Sequence, residues 1–159
     1  MSNNFLDVKN VNFRIGGKTK VKDVSFSIQN EGDIVCLLGP SGIGKTTILR
    51  TIAGLENIEK GSIDLKGKTL SSKNIHIEPE HRNISLAFQE NSLFPHYSVE
   101  KNILIGAEKN KEKKDKKISF KEIVKLLDIE KILKKFPHQI SAGEAQRVSL
   151  ARSLISKPD

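Results

Sequence analysis

Nine consecutive residues, Gly39-Pro40-Ser41-Gly42-Ile43-Gly44-Lys45-Thr46-Thr47, have the types and spacing that hold a phosphate group. The first eight match G-x-x-x-x-G-K-[ST], in which glycines let the backbone curl until successive N–H groups face one centre. Lys45 adds a point charge for the β- and γ-phosphates of a nucleotide. The Thr46 hydroxyl is a hard oxygen of the kind that ligates Mg²⁺. The amides from Ser41 to Thr47 also sit where the positive end of a following helix would lie. A Gly-rich turn with no ligand is the plainer alternative, and the flanking sequence weighs against it.

Ahead of the loop, Ile34-Val35-Cys36-Leu37-Leu38 is an unbroken apolar run of strand length, which predicts a strand buried on both faces. Cys36, the one cysteine, is then expected to be a buried thiol. Behind the loop, Ile48, Leu49, Ile52 and Ala53 fall on one face of a helix, with Gly54 placed to end it. Strand, loop and helix come in the order that a phosphate loop requires.

A length of 159 residues suits one domain or a piece of a larger one, and 36% hydrophobic residues suffice for a modest core. No stretch has the apolar length of a membrane span, and Met1-Ser2-Asn3-Asn4 lacks a signal-peptide pattern, so a soluble intracellular protein is expected. The net charge of +8 raises nucleic acid as a partner. Much of it sits in the run from Lys109 to Lys117, which has no aromatic residue to stack a base. A solvated loop is the expectation there, with anionic lipid headgroups as a third use and no direct nucleic acid.

Around these stretches the positioning elements can be read in order. Residues Phe5 to Val11 and Val24 to Ile28 read as strands separated by a Gly16-Gly17 turn. Gly61 to Leu65 predicts a short strand turning at Gly67, and Ile75 to Glu80 an irregular stretch broken by Pro79. Ile84 to Phe88 predicts a strand that ends at Gln89, the end where open α/β sheets meet their ligands. An amide there could ligate Mg²⁺ or hold an attacking water. From Val99 onward the pattern is helical. Ser119 with Glu122 and Ser141 with Glu144 each form an S-x-x-E capping box. Between them, Ile129, Ile132, Leu133 and Phe136 predict another apolar helical face, stopped by Pro137. The second capping box opens a helix through Val148, Ala151, Leu154 and Ile155 towards Pro158, whose small-residue amino end is a second anion-binding device.

The phosphate loop, Gln89 and the stretch Ile140-Ser141-Ala142-Gly143-Glu144-Ala145-Gln146-Arg147, in that order, resemble the nucleotide-binding subunit of ATP-binding-cassette transporters. The last stretch is similar to the family's Leu-Ser-Gly-Gly-Gln signature followed by two residues and Arg. Residues 92–103, with Glu80 to Ile84 upstream, are similar to the importer branch for sugars, polyamines, sulfate or ferric iron. The resemblance implies an α/β phosphate-loop fold in three parts: an antiparallel β region at 1–33, the core at 34–89 and an inserted helical subdomain at 90–155. The chain would be C-terminally incomplete.

The resemblance also implies ATP and Mg²⁺ as cofactors and ATP hydrolysis coupled to solute import. Gly39 to Thr47 would wrap the phosphates, Lys45 and Gln89 would be catalytic, and Thr46 and Gln89 would hold the metal. Ser141 and Gly143 would reach the γ-phosphate held by a second copy in a head-to-tail homodimer. Membrane permease subunits, and a solute-binding protein indirectly, would be partners at the inner face of the cell membrane. Ile15 falls where the family stacks an aromatic on adenine, and Phe13, two residues earlier, is expected to face the other way. Ala142 and Glu144 stand where the family usually has Gly and Gln. The chain stops at Ser156-Lys157-Pro158-Asp159, where the family enters a strand carrying its general-base Glu, so little turnover is expected from it alone. A non-hydrolysing nucleotide-binding fragment and a soluble cassette protein acting on nucleic acid or ribosomes are the alternatives.

Overall fold

A computed structural model describes residues 4–15, 19–88, 93–108, 118–156 and 158, with backbone alone at 14, 15, 19, 20 and 108. Gln89, the Gly16-Gly17 turn and the Lys-rich run therefore lie outside the described residues. The chain forms two compact units, Met1–Arg82 and Asn83–Asp159.

The first unit is built on four antiparallel strands, β1 (Leu6–Ile15), β2 (Thr19–Ile28), β3 (Lys60–Leu65) and β4 (Lys68–Ser71), in the order β2-β1-β3-β4. The sheet is thus not confined to residues 1–33. β3 pairs with the free edge of β1, as Leu6 opposite Leu65 and Val8 opposite Ile63 show. A two-stranded ribbon is marginal in water, and the β3–β4 hairpin supplies the third and fourth strands that make the sheet stable. Leu6, Val8, Val11 and Phe13 of β1 are all buried, although strict alternation would not put residues 8 and 11 on one face. A bulge reconciles them. The register shifts between Val8 and Val11, with Asn10 at φ 49° and its N–H given to Ser25 Oγ at 2.8 Å.

Against this sheet lies α1 (Lys45–Ile52), whose Ile48, Thr51 and Ile52 share a narrow apolar cleft with Val8, Val11 and Phe13. Its C-terminus is a Schellman motif. The Leu55 N–H donates to Arg50 O and the Gly54 N–H to Thr51 O, with Gly54 at φ 88° as expected of a residue that ends a helix.

The apolar run before the loop departs from expectation. Residues 34–38 form no strand, Ile34 is 94% and Leu38 91% exposed, and Cys36 is an exposed thiol. Residues 84–88 are likewise not a strand. A parallel-sheet strand is buried only by its neighbours, and among the described residues none pairs with either segment.

The second unit packs α2 (Val99–Glu108), α3 (Phe120–Leu126) and α4 (Ala142–Ile155) around Val99, Ile103, Ile123, Ile129, Val148 and Ala151. The face predicted from Ile129 to Phe136 is not a helix. It is a single 3₁₀ turn at Glu130–Ile132 followed by another at Pro137–Gln139, which buries Ile129 and Ile132 but leaves Phe136 39% exposed. Pro137 explains the break. The fully buried Asn102 clamps the segment before α2, accepting the Phe94 N–H at 2.8 Å and donating to Phe94 O, Tyr97 O and Ser98 O at 3.1 Å each. Gly106 brings α2 and α4 together, because a Cβ there would stand 2.3 Å from Arg152 O. Gly106→Ala is expected to destabilise this unit by about 1–3 kcal/mol, the usual range for overpacking, as read by urea denaturation followed by circular dichroism.

Candidate phosphate-binding site

The loop from Gly39 to Gly44 is closed on itself by two interactions. The Ile43 N–H reaches Pro40 O at 3.4 Å, and the Lys45 ammonium folds back to donate to Gly39 O at 2.7 Å and Pro40 O at 2.8 Å. Gly42 and Gly44 carry φ of 82° and 105°, values that a residue with a Cβ rarely adopts. Gly44 is also the N-cap of α1. Lys45 thus spans the loop's mouth with two of its three donors committed to carbonyls that a phosphate could displace.

The amino end of α1 differs from those of α3 and α4. At α3, Ser119 Oγ accepts the Glu122 N–H and Glu122 accepts the Ser119 N–H; at α4, Ser141 and Glu144 repeat the arrangement. Both are complete capping boxes. At α1 the N-cap is a glycine with no side-chain hydrogen bond, and no acidic residue lies in the first turn. The first intrahelical bond is Ile48 N–H to Gly44 O. The amides of Lys45, Thr46 and Thr47 therefore have no partner among the described residues, and the helix dipole there favours an anion. Thr46 is exposed on this first turn, and Ser41 and Ile43 are exposed on the loop.

The opposite end of α1 is fully partnered. Arg82, 2% exposed, donates through Nη1 to Thr51 O at 3.0 Å and Ile52 O at 2.9 Å, through Nε to Ile77 O at 2.6 Å, and through Nη2 to Ser71 Oγ at 2.7 Å. His76 Nδ1 stands 3.4 Å from Nη2. Burial pushes the guanidinium below its ordinary value, opposed by the charge of Glu78. The sequence reading gave Arg82 no role beyond its place in a family-like segment. Its acceptors are mostly backbone carbonyls, which no residue pattern displays.

The remaining predicted residues are distributed as follows. Ile15 lies at the end of β1, its backbone opposite Thr19. Phe13 is 1% exposed, so its ring is committed to the core and is not open to a base. The expectation that it faces away from Ile15 does not hold for a regular strand, where residues two apart share a face; burial removes this ring instead. In the second unit, Ser141 is the N-cap of α4, and Ala142 and Gly143 are exposed in its first turn. A Cβ added at Gly143 would meet nothing within 4 Å. The Glu144 carboxylate is held at 2.7 Å by the Ser141 N–H, which lowers its pKa, and the Ser141 hydroxyl and the charges of Lys135 and Arg147 act the same way.

The family model described as ABC transporter matches residues 21–159. The chain belongs to the ABC transporter family. It is 40% identical over 160 residues to "Fe(3+) ions import ATP-binding protein FbpC" of Haemophilus influenzae (strain 86-028NP), a match that covers 100% of this chain and 45% of that protein. It is also 40% identical over 156 residues to the protein of the same name from Escherichia coli (strain K12), covering 98% and 43%. The chain therefore spans less than half the length of these curated relatives. Among solved structures, cbiO1 from Clostridium perfringens, described as part of the ABC transporter complex cbiONQ, superposes with a TM-score of 0.76 at 24% identity, covering 98% of this chain and 63% of that one. The ATP-binding cassette MJ1267 gives 0.78 at 23% identity, covering 98% and 66%. The fold of this ABC-family chain is accordingly the α/β phosphate-loop fold, with an antiparallel β subdomain and a helical one.

The capping boxes give a pH dependence whose sign follows from the bonding. Glu144 and Glu122 both have pKa values lowered in the folded chain by bonds to their capping serines. Their contribution is in place above the ordinary value of 4.5 and is lost as pH falls through the lower folded value. The double variant Glu122→Gln/Glu144→Gln keeps a capping side chain without the titration. It is expected to show a flatter dependence of melting temperature on pH below about pH 4.5 than the parent chain.

Proposed function

We propose that this chain is the ATP-binding, energy-coupling part of an ABC importer, with ATP hydrolysis in a head-to-tail dimer driving solute uptake through membrane permease subunits. The observation that carries the reading is the open amino end of α1, with Lys45 folded over the loop beside it. Neither a capping side chain nor an acidic group competes there with a triphosphate, so the residues fit the cofactor. Gly39 to Thr47 would wrap the phosphates, and Lys45 would leave its two carbonyls for the β- and γ-phosphate oxygens. Thr46 and Gln89 would hold Mg²⁺, which neutralises charge as the phosphoryl group transfers. Gln89 would also contact the attacking water. Ile15 would pack on the adenine without a stacked ring.

Ser141 and Gly143 would meet the γ-phosphate bound by the second copy. One observation supports that reading. Glycine in a helix costs about 0.5–1 kcal/mol relative to alanine, and among the described residues nothing excludes a Cβ at Gly143. The Glu144 carboxylate, a departure from the family's usual Gln, is bonded back to the Ser141 N–H, which stabilises its charged form and ties it to the capping box. The relatives named for Fe(3+) import favour ferric iron as the cargo and an importer over the nucleic-acid reading that the net charge of +8 raised. A place on the cytoplasmic face of the membrane, held by permease subunits with a solute-binding protein beyond them, belongs to the same proposal. Among the described residues no helix is long and apolar enough to cross a membrane.

The direct test is binding of a fluorescent ATP analogue with Mg²⁺, read by anisotropy. Lys45→Ala is expected to weaken binding by about 10–100-fold, the loss of a charge-assisted interaction, and unchanged affinity would overturn the proposal. Gly143→Ala tests the trans contact separately. It is expected to leave the melting temperature equal or higher and single-chain affinity unchanged, while abolishing ATP-dependent self-association in sedimentation.

A further inference from the structure

Arg82 is costly to bury and has cheaper substitutes if stability alone were at stake. Among the described residues every acceptor it donates to is neutral: the Ile77, Thr51 and Ile52 carbonyls and Ser71 Oγ, with His76 Nδ1 standing 3.4 Å from Nη2. A buried charge without a bonded counter-ion is weak evidence for a stabilising role. What distinguishes Arg82 is the set of parts that it joins. Two acceptors are the last carbonyls of α1, one is the end of β4, and one belongs to Ile77, just ahead of the guanidinium's own position in the chain.

The helix that it grips has eight residues. So short a helix does not hold its own course in water, and its direction is set by whatever fastens its ends. The amino end is uncapped, so the fastening falls to the carboxyl end and to the apolar face on the sheet. At 1.5 Å per residue α1 is about 12 Å long, and a tilt of about 10° at the gripped end would carry the phosphate amides about 2 Å. Misplacements of about 1 Å at a reacting centre can cost about 10²-fold. Gly54 is part of the same grip, because a Cβ there would stand 2.4 Å from Arg82 Nε. The cation also sits at the negative end of the helix dipole, where its charge is favourable.

We propose that Arg82 is a positioning residue for the phosphate loop: by binding the carboxyl-terminal carbonyls of α1 to Ser71 and Ile77 it fixes the direction in which the helix presents its free amides. The proposal rests on the nucleotide reading above. It concerns orientation at a distance, since Arg82 touches no residue of the loop.

The test compares Arg82→Met, Arg82→Lys and the milder Ser71→Ala with the parent chain. Affinity for the fluorescent ATP analogue is measured at a temperature where circular dichroism shows each protein fully folded. Arg82→Met and Arg82→Lys are expected to bind about 10-fold more weakly or worse, because an ammonium cannot span acceptors on three segments. Ser71→Ala, which removes one of the anchoring bonds, is expected to lose about 2–5-fold. Hydrogen exchange at residues 48–52, whose amides are bonded within α1, should quicken in all three. Parent-like affinity in the folded variants would overturn the proposal while leaving nucleotide binding intact, as would an affinity loss that merely follows the unfolded fraction. If the Arg82 variants do not fold, Ser71→Ala decides alone, and its parent-like affinity and exchange would overturn the proposal. Absence of nucleotide binding by the parent chain would overturn the nucleotide reading and this proposal together.

Discussion

The structure depends on an asymmetry between the two ends of one short helix. At its carboxyl end every last-turn carbonyl of α1 has a donor, through the Schellman motif at Gly54 and the guanidinium of Arg82. At its amino end the cap is a glycine without a side chain. A helix terminus with unmet amides is unfavourable unless water or a ligand meets them. The chain shows elsewhere that it can satisfy such amides, since Ser119 with Glu122 and Ser141 with Glu144 each meet two of them. The open end is therefore a local exception, at the one helix whose preceding loop is shaped by two left-handed glycines.

The elements around α1 serve to keep that exception in place. The bulge in β1 turns Val8, Val11 and Phe13 to one side, and they form the surface on which Ile48 and Ile52 rest. β3 and β4 complete the sheet and bring Ser71 to the edge where Arg82 meets it. In the other unit the same economy takes a different form. Asn102 uses its whole amide to hold a surface segment, and Gly106 lets two helices approach too closely to admit a methyl group between them.

Features whose causes lie within a few residues were legible from the sequence. Both capping boxes, the Gly54 terminus and the half-buried alternation of Val24 to Ile28 were read correctly, because each shows in the residue types of a stretch of no more than six positions. Features decided at a distance were not. Residues 34–38 have the composition of a buried strand, but composition specifies a need for neighbours without supplying them. The 3₁₀ turns from Glu130 to Gln139 satisfy an apolar periodicity with no continuous helix, since burying Ile129 and Ile132 required only one turn. Arg82 was invisible for a third reason. Two of its acceptors are main-chain oxygens about thirty positions earlier, and backbone groups leave no trace in residue identity. The loop itself was legible as a pattern, whereas the return of Lys45 to Gly39 O and Pro40 O was not.

The exposed thiol of Cys36 makes the loop unusually easy to interrogate. The chain contains one cysteine, and it stands three residues before Gly39. A maleimide dye or spin label would attach at that single point without any engineering of the sequence. The reporter would then sit at the root of the turn whose closure around a triphosphate is in question, and a change in its emission or line shape on adding nucleotide would follow that closure in real time.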